Sequence, residues 1–180
     1  MKRPVLTGLL LASAAALILL FVVMRSAIQQ SSVAAPAEVK NITVTLDGDT
    51  VTLRDGVSEK PAAPGSAAQN TVRIVGDPVM GDATGDGRAD AALLLVNDPG
   101  GSGTFYYAVL AVDDDGSYRA TNAVSLGDRI APRGVEFTDG RFIYRYLERK
   151  PGEPLAVAPS VEKRTAITVD AASNLISANP

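Results

Sequence analysis

Two patterns of apolar residues divide this chain. Val5 to Met24 is an uninterrupted block of twenty positions without a charge. After residue 40, apolar residues instead alternate with polar ones in short runs separated by Gly, Pro, Asp and Asn. The first pattern predicts a transmembrane helix, because twenty helical residues span ~30 Å, the thickness of a bilayer's hydrocarbon core. The apolar stretch of a signal peptide is shorter, ~7–15 residues. Lys2 and Arg3 precede the block and favour the cytoplasmic side, which places the rest of the chain outside. Val33-Ala34-Ala35 is an acceptable small-x-small cleavage site, so secretion after cleavage near Ala35 is the alternative. Residues 1–25 are therefore read as a signal anchor. Residues 26–40, rich in Ser, Ala, Gln and Pro, are read as a flexible tether.

The second pattern predicts strands. Asn41-Ile-Thr-Val-Thr-Leu46 and Thr50-Val-Thr-Leu-Arg54 alternate at period two around Asp47-Gly48, a strong hairpin signal. Further strands are expected at 71–76, 89–97, 104–113, 118–126, 133–138, 141–148 and 161–169, with the pair around Asp139-Gly140 forming a second hairpin. Residues 60–70 are expected to form a loop. Ala89-Asp-Ala-Ala-Leu-Leu-Leu-Val96 is continuously apolar beyond its Asp, as in a central strand buried on both faces or a short helix. The glycine-rich loop before it and Asn97-Asp-Pro-Gly100 after it favour the strand. Phe105-Tyr106-Tyr107 begins a neighbouring strand, and its rings are expected in the core. The fold class is thus all-β, a single sandwich or barrel-like domain of antiparallel strands over residues 41–170, preceded by one N-terminal transmembrane helix and followed by a tail at 171–180.

Composition removes several chemistries. The chain has no His, Cys or Trp. Disulfides, thiolate nucleophiles, Cys or His metal ligands and a Ser-His-Asp triad are therefore excluded. Setting aside Lys2, Arg3 and Arg25, 14 cations face 20 acids, a net charge of −6 for the exported part. Such an acidic exterior, with no interleaved aromatic and basic residues, argues against a nucleic-acid partner. The charge is uneven. Residues 77–115 contain eight Asp and one Arg, whereas residues 116–164 contain nine Lys and Arg against six Asp and Glu. The basic half is read as a mixed solvated surface.

The acidic half holds one constellation with chemistry. Asp82-Ala-Thr84-Gly-Asp86-Gly87-Arg88-Ala-Asp90 fits the pattern D-x-[DNST]-x-D-G-x-x-D. Calcium takes six to eight hard oxygen ligands, and side chains at alternate positions of a loop can converge on one point. Asp82, Thr84 and Asp86 supply those positions, Gly87 allows the sharp turn, the Arg88 carbonyl comes next and Asp90 adds a carboxylate or holds a water. Close carboxylates repel one another unless a cation neutralises them. An EF-hand is excluded, because Leu93 stands where its bidentate Glu would be, and the neutral Thr84 hydroxyl weakens affinity. The expectation is a structural calcium site, with an empty Asp/Gly-rich turn as the alternative.

This loop and the Asp-Ala-Ala-Leu-Leu-Leu that follows, residues 82–96, resemble the calcium loops of FG-GAP repeat proteins, in a single copy. A longer resemblance runs through Gly65-Ser66-Ala67, Gly81 to Asp90, Gly100-Gly-Ser-Gly-Thr-Phe-Tyr-Tyr107, Thr121 to Pro132, Arg149 to Pro154 and Pro159-Ser160-Val161. It is similar to a family of exported or membrane-anchored bacterial proteins with one β-rich domain. That resemblance implies a compartment and a domain boundary, and no activity.

Other motifs are weaker. Ser160-Val-Glu-Lys163 has the spacing of serine acylases without their companion motifs. Gly100 to Thr104 resembles a phosphate loop only in glycine content. Asp128, Glu136, Glu148 and Glu153 could in principle pair as the acid and base of an envelope hydrolase. The favoured reading is a non-enzymatic, membrane-anchored extracytoplasmic module. Its partner would be another envelope protein or a glycan. The alternatives are that hydrolase and an inhibitor of a wall-degrading enzyme presenting the loop 98–103 or 149–159.

Overall fold

The computed structural model describes residues 35–170 and 175–178. The anchor at 5–24, the cleavage site and most of the tether lie outside the described residues.

The continuously apolar run forms a strand, as expected, and sits at the centre of the fold. Numbering strands in chain order, β6 (Asp90–Asp98) pairs antiparallel with β7 (Phe105–Asp114) from Ala91↔Ala111 to Asn97↔Phe105. Around this pair lie β3 (Val57–Pro61), β4 (Gln69–Ile74), β5 (Val79–Gly81), β8 (Ser117–Ala120) and β9 (Val124–Asp128). The order is β3-β4-β6-β7-β8, with β5 also on β6 and β9 also on β7. A separate hairpin comprises β1 (Thr43–Leu46) and β2 (Asp49–Thr52). A third sheet, β10-β11-β12-β13, contains Ala131–Thr138, Arg141–Glu148, Val161–Val169 and Leu175–Ala178.

A strand in an antiparallel sheet normally shows water one of its faces, which produces alternation. β6 does not alternate because both of its faces are covered. Leu93 and Leu95, with Val109 and Ala111 of β7, pack on Val44, Leu46 and Val51 of the hairpin and on Val39 and Leu53. Ala92 and Leu94, with Ala108 and Leu110, pack on Phe142, Tyr144 and Tyr146 of β11 and Ile167 of β12. The result is an all-β sandwich of curled antiparallel sheets, with the central sheet holding a core on each face. Two tyrosines lock the layers together. Tyr144 donates its hydroxyl to the carbonyls of Leu93 at 3.1 Å and Val109 at 3.3 Å. Tyr107 donates to Asp47 in the hairpin turn at 2.5 Å. Burial pushes both phenols well above their ordinary range, so both stay protonated and able to donate.

The expected hairpins close as the sequence implied. Asp47-Gly48 and Asp139-Gly140 have positive φ at both residues, the backbone that suits the right-handed twist of flanking strands. Asp115-Gly116 does the same between β7 and β8. The aromatic residues at 105–107 join the cores, Phe105 and Tyr107 on one face and Tyr106 on the other.

The structure corrects several boundaries. The stretch 118–126 is two strands, because Thr121 interrupts the ladder. Its Oγ1 accepts the Leu110 amide at 3.1 Å and donates back to the Leu110 carbonyl at 3.2 Å, so a side chain replaces part of the backbone pairing. The loop expected at 60–70 is shorter, since Lys60-Pro61 and Gln69-Asn70 pair across β3 and β4. The structured domain begins before residue 41: Ala37–Lys40 is a 3₁₀ turn whose Val39 is fully buried. In the tail, Leu175–Ala178 pairs antiparallel with β12.

Candidate functional site

Residues 82–89 connect β5 to β6, and the pair Gly81↔Asp90 closes the loop at its base. Glycine is required at that base. A Cβ on Gly81 would lie 2.3 Å from the ring of Phe137 in β10, so the loop is seated directly against the third sheet. The turn at Gly87 has φ +87°, which the absence of a side chain permits.

Within the loop the three carboxylates take different partners. Asp82 is a hub for backbone amides: its Oδ1 accepts Gly85 at 2.6 Å and Asp86 at 3.2 Å, and its Oδ2 accepts Gly87 at 2.9 Å. The Thr84 hydroxyl donates to the same Oδ1 at 3.4 Å. These donors, Gly87 foremost, hold the Asp82 carboxyl below its ordinary value. Asp86 accepts the Arg88 amide at 2.8 Å and forms an ion pair with the Arg88 guanidinium at 2.7 Å. Arg88 also reaches Asp115 at 3.0 Å, which ties the loop to the β7–β8 turn.

Asp90 is fully buried. Its Oδ2 accepts the amides of Ala83 at 2.9 Å and Thr84 at 3.1 Å, while its Oδ1 accepts Asp113 of β7 at 3.1 Å. Burial pushes this carboxyl above its ordinary value, against the opposing pull of its three donors. Asp90 therefore fastens the start of the loop to the end of β7.

The structure thus brings the side-chain oxygens of Asp82 and Thr84 together, places Asp86 beside Arg88, and sets Asp90 beneath the loop's backbone. Among the described residues no group of three or more acidic side chains is arranged as a metal centre.

The four carboxylates considered for hydrolysis are also engaged. Asp128 pairs with Arg129 and accepts the Thr104 amide at 2.9 Å. Glu136 pairs with Arg145 at 2.5 Å, and Glu148 with Lys163 at 3.2 Å. Glu153 accepts the Lys150 amide at 3.0 Å inside the loop that follows β11. Ser160 donates its backbone amide to the Glu148 backbone carbonyl at 2.9 Å and leads directly into β12, so the S-x-x-K spacing marks a strand start.

Sequence reasoning missed one feature by counting the arginines of residues 116–164 as scattered surface. Register aligns three of them. Arg145 on β11 stands directly opposite Arg164 on β12. On its other side, a β-bulge inserts Arg133 between the pairs Pro132↔Tyr146 and Gly134↔Arg145. The only signal in the sequence was Arg141 and Arg145 at alternate positions to Phe142, Tyr144 and Tyr146, which identifies an outward face and not what lies across from it. Compared with known proteins, this chain matches no family model, no curated protein and no solved structure.

Proposed function

We propose that this chain is a non-catalytic extracytoplasmic module, anchored in a bacterial cell membrane through residues 5–24, whose β-domain serves in binding or structure outside the cell. The observation that carries this reading is how the carboxylates are spent. Asp82 and Asp90 are occupied by backbone amides, and Asp86, Asp128, Glu136 and Glu148 by Arg or Lys. A carboxylate-based hydrolase needs two carboxyl groups ~5–10 Å apart facing a cleft, with one free to donate a proton.

Calcium in the Asp82–Asp90 loop is the second part of the proposal. Support comes from the shared position of the Asp82 and Thr84 oxygens and from the Gly87 turn that follows Asp86. A loop already shaped by its own hydrogen bonds loses little further entropy on taking an ion. Asp86 would exchange the Arg88 guanidinium for the cation, and Asp82 would use lone pairs left over from its amide donors. The ion would be structural.

The test is a thermal melt of the full chain in neutral detergent, first with EDTA and then through a calcium titration. Occupancy at ~100 times the dissociation constant adds ~2.7 kcal/mol, which raises the midpoint of a domain of this size by several degrees. The rise should be lost in Asp86→Ala and kept in Asp98→Ala, whose carboxylate only caps the turn at Gly100. No shift up to ~10 mM calcium, ~10 times the dissociation constant at the weak end of extracellular sites, would remove the ion from the proposal.

A further inference from the structure

We propose that the outer face of the β10–β11–β12 sheet binds an acidic glycan, gripping its carboxylate or other oxyanion groups with Arg133, Arg145 and Arg164. The inference rests on the extracytoplasmic reading for where such a polymer would be met; the site itself follows from strand register.

Like charges directly opposite each other in a sheet repel and destabilise the pair. Here three guanidinium groups stand in one row across three strands, and a bulge adds the third. Bulges re-aim side chains at the cost of a ladder hydrogen bond. Only Arg145 is neutralised, by Glu136; Arg133 and Arg164 form no ion pair among the described residues. The row lines two adjoining grooves of about 190 and 440 Å³, both of which include Arg145 and Arg164. Arg133 extends the smaller groove, which Glu162 and the Glu148-paired Lys163 also line, and Arg141 extends the larger, which Glu136 and Asp139 also line. Five cations against three acids line the two grooves, a local excess of positive charge on a domain of net charge −6, and its charge complement is a chain of anionic groups. Guanidinium forks match oxyanions bidentately.

One observation chooses among polyanions. The aromatic side chains of β11, Phe142, Tyr144 and Tyr146, are buried on the inner face, so the arginine face offers no ring from β11 on which a nucleobase could stack. An acidic glycan, held by charge alone, meets that condition.

The experiment measures binding of the full chain, in neutral detergent with EDTA present, to polygalacturonate by titration calorimetry. Neutral dextran, single-stranded DNA and phosphatidylglycerol vesicles are compared in parallel. The expected result is binding to polygalacturonate that is absent with dextran. It should be weaker at high salt, since the screening length falls from ~10 Å at 0.1 M to ~3 Å at 1 M. The double variant Arg133→Gln/Arg164→Gln should bind about tenfold more weakly, the loss of two charge-assisted contacts. Arg119→Gln, an exposed arginine on β8, should bind as the parent does. Both substituted positions in the double variant are exposed and without ion pairs, and an unchanged melt verifies the fold. Equal binding by parent and double variant, or no binding at 0.1 M salt, would overturn the site. Tighter binding of DNA or of the vesicles would overturn the glycan assignment. Because EDTA is present throughout, a failed calcium titration leaves this result standing, and failure here leaves the calcium result standing.

Discussion

The Asp82–Asp90 loop and the arginine row of the third sheet both concentrate charge of one sign, and they resolve it in opposite ways. In the loop, repulsion is relieved within the fold. Asp82 and Asp90 accept backbone amides, and Asp86 takes the guanidinium of Arg88. On the sheet, repulsion is left largely exposed to solvent. Arg145 has Glu136, while Arg133 and Arg164 have no ion-pair partner among the described residues. Charge spent on the chain's own backbone is structural, because its removal orphans backbone donors, at greatest cost where the acceptor is buried, as at Asp90. Charge left unspent on a regular surface costs little to remove and remains available to a ligand. This difference leads us to place the structural role in the loop and the recognition in the sheet.

Substitutions sharpen the contrast, beginning with the largest. Asp90→Ala should destabilise the chain by about 3 kcal/mol or more, since three amide donors lose their acceptor at a fully buried position. A urea melt monitored by circular dichroism measures it. A loss below about 1 kcal/mol would mean that water replaces the carboxylate, and the loop would not be anchored as described.

Asp82→Asn tests the same principle through pH. The carboxyl is held below its ordinary value of 3.8 in the folded state, so its ionised form stabilises the fold. That contribution is fully present above pH ~4–5 and is lost as the pH falls through the depressed folded value. The variant should therefore be less stable than the parent at pH 7, by about 1 kcal/mol, and the gap should narrow as the pH falls through the depressed folded value. Asp90 acts with the opposite sign. Its raised folded value means that burial penalises its ionisation, so the fold is favoured more with the carboxyl protonated and gives up part of that stability as the pH rises through the folded value, while its oxygens go on accepting the three amides. Parallel stability curves for parent and Asp82→Asn across pH 2–7 would remove Asp82 as an ionised hub.

Arg164→Gln should have the smallest effect on stability. Relief of the charge opposite Arg145 should leave the midpoint unchanged or raise stability by a few tenths of a kcal/mol. A loss of more than about 1 kcal/mol would show that Arg164 holds the sheet together and is not in reserve for a ligand.

Legibility in the sequence followed the range of the interaction. Asp47-Gly48 and Asp139-Gly140 specified their hairpins because a turn with two positive φ values is a local demand on adjacent residues. The loop's outline was equally local, from Asp82 through Gly87 to Asp90. Its internal allocation of partners was not legible. Asp90 looked like an outer ion ligand, yet it lies buried and also accepts an amide from Asp113, on the next strand. The split at Thr121 escaped for a similar reason, since its hydroxyl substitutes for backbone at Leu110 across the sheet.

Local pattern alone determined that the described domain would be all-β, where its main turns would fall, and which strand would be apolar on both sides. Period-two alternation, positive-φ turn residues and apolar runs each act over a few neighbouring residues, so they can be read along the chain. Only the tertiary structure decided what covers the two faces of β6, which amides Asp90 would satisfy, and that Arg133, Arg145 and Arg164 would stand in one row. Those outcomes depend on register and on a bulge between strands distant in sequence. Because the side chains of a strand alternate sides, a slip of one residue would have turned Arg145 to the core and Tyr144 to solvent.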